Sequence, residues 1–142
     1  MMKKGFSLLE VIFVITVIGI IITIAIPKLN EHLAKANTIK IKNDITMIRE
    51  GILEYRDQLI LQNKKSVKID SLDEDNKQLF SKILTYPILS STKQKINAWS
   101  KISNTRYIVF VDTINSVEFI YDKASYTFDC NQDDKFCKEL SQ

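Results

Sequence analysis

The chain has 142 residues, a formal net charge of +3, 45% hydrophobic residues and only two cysteines. That charge makes no bulk electrostatic case for nucleic acid, and three glycines with two prolines leave no low-complexity linker. Nucleophile-elbow, HExxH and phosphate-loop motifs are absent, and a single histidine, His32, offers no metal set, so no catalytic residue is nominated.

Residues 6–27 dominate the N-terminal end. Between Phe6 and Ile26 there is one charge, Glu10. A helix of this length reaches about 30 Å, enough to cross a hydrocarbon core. A carboxylate in such a span costs a few kcal/mol, so it is expected to have a function and a partner. The span itself offers none. Cleavage between Gly5 and Phe6 would remove the basic leader Met1–Gly5 and expose an α-amine on Phe6, about 6 Å along the axis from Glu10. In a staggered bundle of such helices, each Glu10 would meet a neighbour's amine, and the helix dipole favours an anion at this end. Two plainer readings compete. A secretory signal would have a shorter apolar region and a better small-x-small site than Thr23-Ile24-Ala25. A permanent anchor carrying a binding module leaves Glu10 without a purpose. Lysines flank both ends of the span, so charge does not settle orientation.

The basic leader ending in Gly5, then Phe6-Ser7-Leu8-Leu9-Glu10, an apolar run containing Gly19, and Ala25-Ile26-Pro27-Lys28-Leu29 resemble the type IV pilin and type II secretion pseudopilin family. The resemblance implies cleavage after Gly5 by a prepilin peptidase and N-methylation of Phe6. It also implies residence in the bacterial inner membrane with the C-terminal head in the periplasm. Assembly through an inner-membrane platform would follow, into a periplasmic or extracellular filament of this and other pilin-like subunits. Glu10 falls on the family's assembly glutamate and Pro27 on the proline that bends its first helix. The expected division is a leader over 1–5, a transmembrane assembly helix over 6–27 and a head over 28–142. A pseudopilin of a secretion or DNA-uptake system is the leading expectation. A pilin or minor pilin for adhesion or motility is the alternative.

From Lys28 to about Asn63 the chain continues as an amphipathic helix. Ala34, Thr38, Ile41, Ile45, Ile48, Ile52, Tyr55 and Leu59 share one face, and Gly51 within it costs helix propensity but permits close packing. Pro27 removes a backbone donor and predicts a bend without ending the helix. Asp44 to Arg56 resembles the corresponding pseudopilin helix. His32 on the polar shoulder reads as a surface residue.

Residues 64–76 read as a polar loop. Ser71 and Glu74 have capping-box spacing ahead of a short helix through Leu79, Phe80, Ile83 and Leu84, stopped by Pro87. Residues 88–104 read as an unpatterned connection pinned by Trp99. Three strands follow, at 107–111, 116–121 and 125–129, with turns between them. Laid on the first helix they bury Ile108, Phe110, Val117, Phe119 and Phe128, or the opposite-parity set. The fold class is α+β, of the kind pilins carry.

Cys130 and Cys137 are expected to form a disulfide outside the cytoplasm, worth roughly 2–3 kcal/mol by loop entropy. Asp129, Asp133 and Asp134 invite a calcium reading, since hard cations take several carboxylate oxygens, but solvated turn acids are the default and no cofactor is assigned. Residues 76–111 hold six cations and no acid, and residues 112–142 hold seven acids against three lysines. Opposed patches of this kind suit contacts between subunits. The basic half with Tyr107 or Trp99 is the corresponding nucleic-acid reading.

Overall fold

The structure is a computed structural model that describes residues 7–62, 67–75 and 77–141, apart from the side chains of Pro27, Asn30, Glu31 and Ala34. It divides into two units, Met1–Ala36 and Asn37–Gln142. Gly5 and Phe6 lie outside the described residues, as does the Pro27 ring to which the helix bend was ascribed. Helix α1 (Leu8–Leu61) runs for 54 residues through the backbone of Pro27.

The second unit, the head, is α+β. Its buried core takes Ile41, Ile45, Ile48, Ile52 and Leu59 from α1, so the periodicity identified the packed face of the helix. Against it lies a four-stranded antiparallel sheet in sequence order: β3 (Trp99–Ser103), β4 (Arg106–Phe110), β5 (Ser116–Asp122) and β6 (Thr127–Cys130). A two-stranded hairpin, β1 (Gln78–Leu79) with β2 (Ile88–Leu89), precedes it, and α2 (Lys135–Ser141) follows it.

The sheet has four strands rather than three. Residues 99–103 form β3 rather than part of an unpatterned connection. The capping-box helix does not form: Ser71 Oγ accepts the Asp73 N–H in a local turn, Gln78–Leu79 is strand, and residues 80–83 turn tightly. α2 was not foreseen.

Face parity divides by strand. Val117, Phe119 and Phe128 are buried as expected, whereas β4 buries Tyr107 and Val109 and leaves Ile108 half-buried. The register explains this, because Tyr107 lies opposite Phe119 and Val109 opposite Val117, and directly opposite residues share a face. Phe110, at the strand's end, is buried as well.

The strand connections hold themselves with carboxylates. Asp112 Oδ1 accepts the N–H groups of Ile114 (2.7 Å) and Asn115 (2.6 Å), and Asp122 Oδ1 accepts that of Ala124 (2.8 Å). Hydrogen bonds to the charged form keep both carboxyls below their ordinary range, led by the Asn115 side chain at Asp112 and the Ala124 N–H at Asp122.

β6 is one edge of the sheet, and α1 reaches over it. Arg49 Nε donates to the Phe128 carbonyl at 3.0 Å while its Nη2 meets Asp129 at 2.5 Å. On the sheet's other edge Trp99 Nε1 donates to Asp44 of α1 at 3.1 Å. Burial pushes the Asp44 carboxyl above its ordinary range, and the Trp99 bond partly offsets that.

Cys130 and Cys137 are joined by a disulfide with Cα atoms 5.8 Å apart. It ties the last strand to α2, whose Cys137 and Leu140 are buried. Changing both cysteines to serine is expected to cost roughly 2–3 kcal/mol in denaturant titration of the full chain, with α2 losing amide protection first. Unchanged protection of residues 135–141 would contradict that coupling.

Candidate assembly segment

The first unit is defined by residues Leu8–Ile26 of α1, a stretch of 19 residues long and apolar enough to cross a membrane, with none of it buried. Leucine, isoleucine, valine and phenylalanine side chains face outward around the whole circumference. A helix hydrophobic on all sides requires lipid or other helices as its surroundings.

The two threonine hydroxyls inside this segment are satisfied locally. Thr16 Oγ1 donates to the Ile12 carbonyl and Thr23 Oγ1 to the Ile20 carbonyl, each at 2.7 Å. The Val11 N–H donates to the Ser7 carbonyl at 3.2 Å, closing the first turn. Such internal pairing is what hydrocarbon demands of a spanning segment. Gly19 has nothing within 4 Å of where a Cβ would stand, leaving a notch at which another helix can approach.

Glu10 is the acid of the first turn of α1. Unpaired backbone N–H groups cluster at this end of any helix, so the dipole favours an anion there. The geometry brings Glu10 within one turn of the start of the described chain. The α-amine that would answer it, on Phe6, lies outside the described residues.

The other sequence-derived candidates separate in space. Asp129 is engaged by Arg49. Asp134 caps α2, its Oδ1 accepting from Phe136 (2.7 Å) and Cys137 (3.2 Å). The Asp133 N–H donates to Asn131 Oδ1. Among the described residues no three histidine, cysteine or acidic side chains form a metal-holding group. The nucleic-acid reading loses its aromatics, because Trp99 and Tyr107 are both fully buried in the core and cannot stack on bases.

The basic block also resolves. Arg106 pairs with Glu118. Lys101 turns inward, its Nζ 2.8 Å from the fully buried Asp73 carboxylate. Sequence reasoning missed Asp73. Its Oδ2 also accepts from the Tyr107 hydroxyl at 2.9 Å, and its Oδ1 accepts the Phe80 N–H at 2.6 Å. Phe80 needs that support. Its φ of 62° is in the left-handed region, and its ring packs against Trp99, Tyr107 and Phe128. A weak signal existed, since Ile69 and Leu72 precede Asp73 as apolar positions in a segment otherwise rich in charge.

Residues 1–26 match the family model described as the prokaryotic N-terminal methylation motif. Over 105 residues the chain is 25% identical to the type IV major alpha-pilin of Moraxella bovis, an alignment covering 74% of this chain and 61% of that relative. The chain thus spans about three fifths of the length of the curated relative it matches. No solved structure matches. These two likenesses, a prepilin-type motif over the start of the exposed apolar helix and 25% identity to a type IV major pilin, support the resemblance of this chain to the type IV pilin and pseudopilin family.

Proposed function

We propose that the chain is a structural subunit of a pilus-like filament, stored in a membrane through α1 and assembled by exchanging lipid contacts for helix contacts. The observation that carries this reading is an all-round apolar segment, unburied from Leu8 to Ile26, with a lone acid in its first turn. In this scheme a prepilin peptidase cuts after Gly5 and Phe6 is N-methylated. The freed Phe6 amine then meets Glu10 of a neighbouring subunit, fixing the axial register in a dry bundle. The head, on the disulfide-permissive side of the inner membrane, forms the filament surface, and the role is structural rather than catalytic.

The resemblance of residues 44–56 favours a pseudopilin of a secretion or DNA-uptake system, whereas the likeness to a type IV major pilin favours a pilin proper. Deleting the gene and scoring protein export, transformation, adhesion and twitching separates the two.

Intact-mass analysis of membrane-extracted protein is expected to show loss of Met1–Gly5 and gain of one methyl group. Glu10→Val is expected to leave insertion and processing unchanged while lowering filament yield about tenfold or more, since one buried pair is worth more than the 1.4 kcal/mol that a tenfold change requires. A functional protein that still begins with Met1 would refute the scheme, and wild-type filament yield from Glu10→Val would remove the role given to that acid.

A further inference from the structure

The head carries two surfaces of opposite charge at different heights along α1. The first is a groove of about 300 Å³ between α1 and the segment before Pro87, lined by Met47, Glu50, Glu54, Leu84, Thr85 and Tyr86. Tyr86 is 83% exposed and Met47 49% exposed, so the groove offers unpartnered apolar anchors beside two carboxylates. Neither carboxylate has an ion-pair partner among the described residues; Glu54 only accepts from Gln58. Lys82 lines the adjoining cavity together with Glu54 and Gln58.

The second surface is the loop Lys93-Gln94-Lys95-Ile96, all four residues exposed. Lys93 and Lys95 have no ion-pair partner among the described residues. The loop is held in shape, with Ser91 Oγ donating to the Lys93 carbonyl and the Ala98 N–H to that of Lys95. Asn97, at φ 64°, fixes its height by donating to Asn37 Oδ1 at 2.7 Å.

We propose that the Lys93–Ile96 loop of one copy docks in the Glu50/Glu54 groove of a second copy. This rests on the filament reading above and supplies its head-to-head contact. Two lysines meet two glutamates, and Ile96 meets Tyr86 and Met47. The loop is anchored at residue 37 and the groove is centred near residue 51, 14 residues further along the same helix. At 1.5 Å per residue the parallel copies are offset by about 21 Å. A contact between two different surfaces with such an offset does not close on itself, so each docked copy leaves one surface free for the next. In-register pairing would instead set like charges side by side.

The test uses full-length protein in cells that assemble filaments. Thr85→Cys combined with Gln94→Cys, treated with a short bismaleimide, is expected to give a ladder of multimers, while each single variant gives none. The native cysteines are both in the disulfide and do not react. Lys93→Glu with Lys95→Glu is expected to reduce the ladder about tenfold, and adding Glu50→Lys with Glu54→Lys to restore it. Filaments visible by electron microscopy without a ladder would overturn the docking and leave the filament reading standing. Absence of filaments from the wild type would overturn both. An equal ladder from Gln94→Cys combined with Ile114→Cys, at the exposed tip of another turn, or failure of the charge swap to restore linkage, would also overturn the docking.

Discussion

Asp73→Ala is expected to destabilise the head by about 3–5 kcal/mol, a large share of the stability of a domain this size. The substitution strands the Lys101 ammonium in the core and removes the acceptors of the Tyr107 hydroxyl and the Phe80 N–H. Loss of the last also releases Phe80 from its left-handed backbone, at the centre of the aromatic cluster. Lys101→Met is expected to be destabilising as well, since it leaves the fully buried Asp73 carboxylate without its counter-ion, although the hydrogen bonds from Tyr107 and Phe80 remain. Urea titration of the full chain in detergent, followed by the fluorescence of Trp99, measures both. A loss below about 1 kcal/mol for Asp73→Ala would mean the carboxylate does not hold the core together.

The same cluster predicts an alkaline limit. Burial, then the Asp73 charge and hydrogen bond, drive the Tyr107 hydroxyl well above its ordinary range. Burial pushes that of Tyr121 up to about 12. A tyrosine whose folded pKa is raised contributes stability that is complete below its unfolded pKa, about 10, and declines as pH rises through and above it. Stability is therefore expected to fall above about pH 10, with a shallower fall in Tyr107→Phe.

Gly51→Ala is expected to destabilise by about 1–3 kcal/mol, opposite in sign to the gain of roughly 1 kcal/mol that helix propensity alone would give. A Cβ here would stand 2.6 Å from the Ile83 carbonyl oxygen and 3.3 Å from Leu84 Cδ2. The obstacle is backbone, in the turn that begins at Phe80, so relief requires moving the 80–86 segment rather than rotating a side chain. Gly19→Ala meets nothing within 4 Å inside the subunit, so it should leave the head's stability unchanged. Urea midpoints for the two variants provide the comparison, and a more stable Gly51→Ala would show that the segment yields freely.

What could be read in the sequence was what lies close together along it. The buried face of α1 repeats every three to four residues, and the alternation of β5 fixes which of its side chains turn inward. Tyr107-Ile108-Val109-Phe110-Val111 is apolar throughout, so its parity is decided only by pairing with β5. β3 was obscured because Ser100, Lys101 and Ser103 follow its one tryptophan, and its register shifts between Lys101 and Ser103. At seven residues α2 is too short for periodicity to establish, and it depends on the Asp134 cap and the disulfide. The site divides similarly. Glu10 declares itself as the one charge in an apolar run, whereas Asp73 depends on Lys101 and Tyr107, 28 and 34 positions away.

The arginine laid across β6 has a bearing on crowded membranes. An open sheet margin offers its backbone to any like margin nearby, and anchored chains meet at high local concentration. Arg49 already occupies the Phe128 carbonyl and places a charge beside it, and the cystine ring closes the strand's far end. On a membrane-anchored chain this guards the β6 margin against pairing with the same margin of a neighbouring copy.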